Sequence, residues 1–134
     1  MKLIINKRET AVATAEDLER ACDAVRQQFF SEVWLEVGAK GPSLVMLVNG
    51  RDAMLIYFPG NGAIFGFTSR NPAYTGAPDA QIEFILANGD MEDYPARWTV
   101  PLSEGCAVCR DFVVRQGARS SLITWHDDGK RDDE

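Results

Sequence analysis

One histidine, His126, is all the imidazole in this 134-residue chain, and it stands at the head of a charged run near the end of the sequence. Nucleophilic catalysis by serine or cysteine draws on a neighbouring base, most often histidine, so a triad has almost nothing to work with. The three cysteines, Cys22, Cys106 and Cys109, are too few and odd in number for a disulfide framework. Cys106 and Cys109 have C-x-x-C spacing, but a zinc site needs a second such pair and a redox pair wants a thioredoxin-like strand before it. They read better as small helix residues, with Cys109 in the core. Phosphate-cradling loops of the G-x-G-x-x-G or P-loop form are missing. No apolar run approaches the roughly 20 residues that span a bilayer, and Met1 to Ile5 is too short for a secretory signal. The expectation is a cytoplasmic chain with no catalytic residues, metal or cofactor.

Basic residues are also missing where they would be most useful. Between Asn71 and Ala96 there is no Lys or Arg, against five acids: Asp79, Glu83, Asp90, Glu92 and Asp93. The formal net charge is −6, and the acidic excess lies in the second half of the chain. Such a surface repels phosphate backbones and attracts a basic partner, so direct nucleic-acid binding is not expected. The cluster Asp90, Glu92 and Asp93 could in principle form a general acid–base pair, but it reads as solvated charge on an acidic loop, Asp90 to Ala96. Tyr74 and Tyr94 interleave with these acids. They are candidate interface anchors, because tyrosine contributes large contact area at low entropic cost.

What is present is an ordinary globular composition, 46% hydrophobic and 25% charged, long enough for one domain. Lys2–Ile5 and Thr10–Val12 read as strands. Thr14 opens a helix with capping-box form, Asp17 standing three residues on, and its apolar face is Leu18, Ala21, Cys22, Val25 and Phe29. Val33–Val37 is a strand. Leu44–Val48 and Ala53–Phe58 are apolar without alternation, which implies strands covered on both faces, and Asn49-Gly50 between them is a strong hairpin signal. Ala63–Thr68 and Gln81–Ala87 are further strands, with Gly66 marking a bulge or a close backbone approach. Ser69–Asp79 is a loop, and Trp98–Val100 a short strand. A second helix, capped by Ser103 and stopped by Gly117, buries Val108, Cys109, Phe112 and Val113. Ser121–Trp125 closes the fold as a strand. The expected class is α+β, a mostly antiparallel sheet of about six strands with two helices packed on it. Residues 1–126 form the domain and 127–134 an acidic tail without apolar residues, expected to be frayed or disordered.

Several of these stretches carry a resemblance. Leu44-Val-Met-Leu-Val-Asn-Gly50, Ala53-Met-Leu-Ile-Tyr-Phe-Pro-Gly60, Gly66-Phe-Thr-Ser69 and Tyr94-Pro95 lead to the more specific end: Ala107, Arg110-Asp-Phe112, Gly117 and Ile123-Thr-Trp125. Over roughly residues 33–125 the pattern resembles immunity protein family one of bacterial polymorphic toxin systems. Val113 stands where a second aromatic is common, and Ser120-Ser121 replaces a frequent proline, departures that touch packing rather than class. The resemblance implies an α+β protein that binds and neutralises the C-terminal domain of a cognate toxin, often a nucleic-acid deaminase. It implies no catalytic residues; the charge pattern, rather than the resemblance, makes the acidic stretch with Tyr74 and Tyr94 the expected partner-binding surface. The other reading open at this point is a small ligand-binding domain or enzyme with a pocket beside Ser69–Asp79.

Overall fold

The computed structural model describes residues 1–130. In chain order the elements are β1 (Lys2–Ile5), β2 (Arg8–Ala11), α1 (Ala15–Arg26), β3 (Phe30–Glu36), β4 (Ser43–Asn49), β5 (Asp52–Phe58), β6 (Phe67–Arg70), β7 (Gln81–Ile85), β8 (Met91–Pro95), a 3₁₀ turn (Ala96–Trp98), β9 (Val100–Pro101), α2 (Leu102–Val114) and β10 (Thr124–Asp127). Eight strands form one sheet in the order β10-β6-β5-β4-β3-β1-β2, with β9 paired to the start of β5. The remaining two, β7 and β8, form a separate hairpin. Every pairing among the described residues is antiparallel. The class is α+β as expected, with more strands than six.

The unalternated runs of β4 and β5 explain the layering. Leu44, Met46, Val48, Ala53, Leu55 and Tyr57 belong to the core under α1 and α2. Val45, Leu47 and Met54, one residue out of phase, join Phe84 in a second cluster under the β7–β8 hairpin. Successive strand residues point to opposite faces, so a strand apolar throughout is one with a layer on either side. Gly50 takes φ +60° in the turn. Asn49 is not in that turn: it pairs with Asp52 as the last residue of β4, and its side-chain amide donates to the Glu83 carbonyl at 2.6 Å, pinning the hairpin to the sheet.

The capping box at Thr14 forms as read: the Thr14 hydroxyl accepts from the Asp17 N–H, and the Asp17 carboxylate accepts from the Thr14 N–H. The Ala13 N–H, and after it the Thr14 N–H, donate to the Asp17 carboxylate and hold that carboxyl below its usual range. Helix α1 ends at Arg26, so Phe29 leaves the expected apolar face and is 64% exposed. For α2 the expected cap is not used. The helix starts at Leu102 after Pro101, with no side-chain cap. The Leu102 N–H donates instead to the Arg51 carbonyl at 2.7 Å, because β9 brings the helix start against the β4–β5 turn. Gly105 seats α2 on the sheet, where an added Cβ would come within 2.8 Å of Met46 Sδ and 3.0 Å of Ala53 Cβ. The stop at Gly117, φ +100°, stands as expected.

One expected loop and two expected strands differ. Asp90–Ala96, read as a loop, contains β8, whose strand form comes from pairing with β7 rather than from the poor strand-forming residues Met-Glu-Asp. Ala63–Thr68 is a strand only from Phe67, since the preceding residues follow the 59–66 loop described below. The closing strand runs Thr124–Asp127, so the boundary drawn after His126 falls inside β10. The Asp128 carboxylate accepts from the Thr68 hydroxyl at 2.8 Å, and residues 131–134 of the expected tail lie outside the described residues.

Candidate protein-binding surface

The β7–β8 hairpin is built with one greasy face and one charged face. Ile82, Phe84, Leu86 and Tyr94 turn inward, onto the cluster with Trp34 and Trp98. Tyr94 packs at 6.0 Å from Phe84 and 6.1 Å from Trp98, ring centre to ring centre. On the opposite face the register sets Gln81 against Pro95, Glu83 against Asp93 and Ile85 against Met91. Glu83, Asp93 and Met91 are exposed, and Met91 sits among the acids at 62% exposure, an apolar residue that its neighbours in sequence do not mark as outward. Only the register of β8 could have exposed it.

Directly opposed like charges destabilise an antiparallel pair, and here nothing local relieves them. Among the described residues none of Asp79, Glu83, Asp90, Glu92 and Asp93 pairs with a Lys or Arg. The ion pairs lie elsewhere, joining Lys2 to Glu9 and Glu36, Arg20 to Asp17, Arg26 to Asp23, Arg110 to Glu19 and Arg115 to Asp111. Asp90 shapes the hairpin tip: its N–H donates to the Asn88 side chain at 3.0 Å, and Asn88 donates back to its carboxylate. Asp79 is exposed at the foot of β7, where Arg97 reaches back to the Pro78 carbonyl at 3.1 Å. The structure thus places Glu83, Asp90 and Asp93 on one hairpin that lies on the sheet, with Asp79 at its base.

Glu92 and the two tyrosines have duties within the chain. The Tyr94 hydroxyl donates to the Glu92 carboxylate. Burial first, and then that bond and the nearby negative charge, push the Tyr94 phenol up from 10.0 to about 12. The protonated phenol is therefore favoured in the folded state. Its contribution to stability is whole below about pH 10 and is lost as the pH climbs toward 12. In an alkaline titration followed by phenolate absorbance, Tyr94→Phe should remove one phenol's amplitude near pH 12; an unchanged curve would contradict this packing. The Tyr74 hydroxyl donates to the Ala77 carbonyl at 2.8 Å, closing its own loop.

The cysteines sit in the core under α1 and α2, where the hydrogen bond with Cys22 holds the Cys106 thiol below its ordinary value. All three are free and buried, Cys109 Sγ lies 4.0 Å from Met46 Sδ, the hydrogen bond to Cys106 together with burial pushes the Cys22 thiol up, and burial does the same to Cys109. Among the described residues no group of three His, Cys, Asp or Glu could hold a metal ion, and no helix is long and apolar enough to cross a membrane. Beside the 69–79 loop lies an open groove of about 290 Å³, lined by Arg70, Asn71, Glu104 and Leu122 among others. Ser121 and Thr124 also line it, with neither histidine nor cysteine among the described residues that form it.

A hairpin whose outer face carries exposed, uncompensated carboxylates suits recognition of another macromolecule. The family model described as Immunity protein Imm1 matches residues 6–127, and the chain belongs to that family. Membership implies a cognate toxin as partner and an inhibitory role without catalysis. A comparison with curated proteins finds no match.

Proposed function

We propose that this chain neutralises, in the cytoplasm of the cell that makes it, a cognate toxin domain acting on nucleic acid, a deaminase by preference, by laying the β7–β8 hairpin into the toxin's basic substrate cleft. The observation that carries the reading is Glu83 opposite Asp93 on an exposed hairpin without a Lys or Arg partner. That self-repulsion disappears when a cationic cleft supplies the counter-charge. Enzymes acting on nucleic acid present such clefts, because phosphate binding rests on Lys and Arg. Glu83, Asp90 and Asp93 meet the cleft and Asp79 and Glu92 flank it, while Tyr94 backs the hairpin from its inner face and Tyr74 closes the neighbouring loop at the margin. The deaminase assignment follows the resemblance in sequence. The zinc that activates water in such an enzyme belongs to the toxin, and this chain needs none.

Charges that steer encounter act on association and on its salt dependence. Glu83→Gln, Asp90→Asn and Asp93→Asn together should slow association with the adjacent gene's toxin C-terminal domain about tenfold or more at low salt. The salt dependence should flatten and dissociation change little. Wild-type association at both low and high salt would remove the hairpin from the interface.

A further inference from the structure

Between β5 and β6 the chain rises into solvent on a loop that is held unusually firmly. Gly60, Asn61 and Gly62 take φ of +80°, +54° and +79° in succession. Gly60 lies so close against the Gly41 and Lys40 carbonyls that no side chain would fit, and the Asn61 N–H donates to the Lys40 carbonyl at 2.8 Å. At the far end an added Cβ on Gly66 would stand 2.6 Å from the Tyr57 carbonyl oxygen. The Gly66 carbonyl accepts the Asp128 N–H at 3.0 Å. Pinned at both feet, the loop presents Ile64 at 88% and Phe65 at 58% exposure.

The surroundings continue the apolar surface. Phe58, itself partly exposed, has a ring atom 3.1 Å from where a Gly66 Cβ would lie, and it stacks on Trp34 with ring centres 6.2 Å apart and planes 4° from parallel. Trp34 packs against the cluster that the β7–β8 hairpin covers, so this patch and the acidic hairpin share one face of the sheet. Acids border the other side: Gly129 stands against the Phe65 ring, between Asp128 and Lys130, and its N–H donates to the Asp127 carboxylate at 3.0 Å.

We infer that Ile64 and Phe65 are the apolar anchor of the toxin interface, entering a hydrophobic pocket beside the toxin's basic cleft while Asp127 and Asp128 face its cations. The inference rests on the function proposed above and deepens it. Contiguous exposed apolar surface rimmed by polar groups marks an interaction site, and a loop already fixed in shape loses little freedom on binding. Charge selects the occupant. A self-complementary dimer would bring together two chains of net charge −6, and with them two acidic hairpins on the faces that carry the patch, whereas a basic partner is attracted to both.

Anchors that bury fully govern dissociation, and steering charges govern association. Ile64→Ser with Phe65→Ser should speed dissociation from the adjacent gene's toxin C-terminal domain about 100-fold or more. Its association rate, the salt dependence and the melting temperature should be unchanged, since both side chains point to solvent. Dissociation within about twofold of wild type, while the hairpin variant still slows association, would overturn the anchor and leave the hairpin standing. A wild-type dimer that the double variant splits, with toxin dissociation unaltered, would overturn it in favour of a second copy. No binding of that domain by the wild-type chain would overturn both readings.

Discussion

Phe112→Ala is expected to cost about 3–5 kcal/mol of folding stability. Phe112 is 1% exposed on α2 and meets the Tyr57 ring edge-on, centres 6.2 Å apart and planes at 73°. Tyr57 in turn contacts Phe67 and Trp125 at 6.2 and 6.3 Å, and its hydroxyl donates to the Gly117 carbonyl at 2.8 Å. One aromatic group therefore joins α2, the helix stop, β5, β6 and β10. Truncation opens a cavity lined by rings whose positions are set from several elements, which limits collapse. Domains of this size are stable by about 5–15 kcal/mol, so the loss is a large fraction of the whole. Urea unfolding should show a much lower midpoint at constant slope; an unchanged midpoint would mean that α2 does not seat on Tyr57.

The second large effect concerns charge. Glu83→Lys with Asp93→Lys should slow association with the toxin domain by about 10²–10³ at low salt, and added salt should then speed association instead of slowing it. The pair is informative because it leaves the like-charge opposition between β7 and β8 in place. Both positions are exposed and stay charged, so folding stability should hold. If the acids served only to keep the hairpin wet, reversal would leave toxin binding intact. Association at the wild-type rate would establish that simpler role.

Much of the scaffold was legible because local and tertiary signals agreed. The Thr14–Asp17 box, the glycine stop at Gly117 and the doubly apolar β4 and β5 each say the same thing in composition and in the fold. What was not legible depended on partners distant in sequence. Met91 to Pro95 has no strand character of its own and becomes β8 through β7. The α2 start is capped by the Arg51 carbonyl, which no Ser103 signal could reveal. Ala63 to Phe65 has the composition of a strand, yet the contacts of Gly60 and Gly66 with Gly41 and Tyr57 lift it out of the sheet. The acidic residues were visible as a charge run. Their sorting, with Glu83 and Asp93 outward and Glu92 bonded to Tyr94, required the register.

Inhibition at fixed stoichiometry tests the central claim most directly. The C-terminal domain of the cognate toxin would be assayed on the nucleic-acid substrate proposed for it while this chain is titrated in, with the charge-reversed hairpin variant in parallel. The account predicts that activity falls linearly to zero at one chain per toxin domain, and that the variant needs a large excess. Full toxin activity at a tenfold excess of the wild-type chain would contradict it.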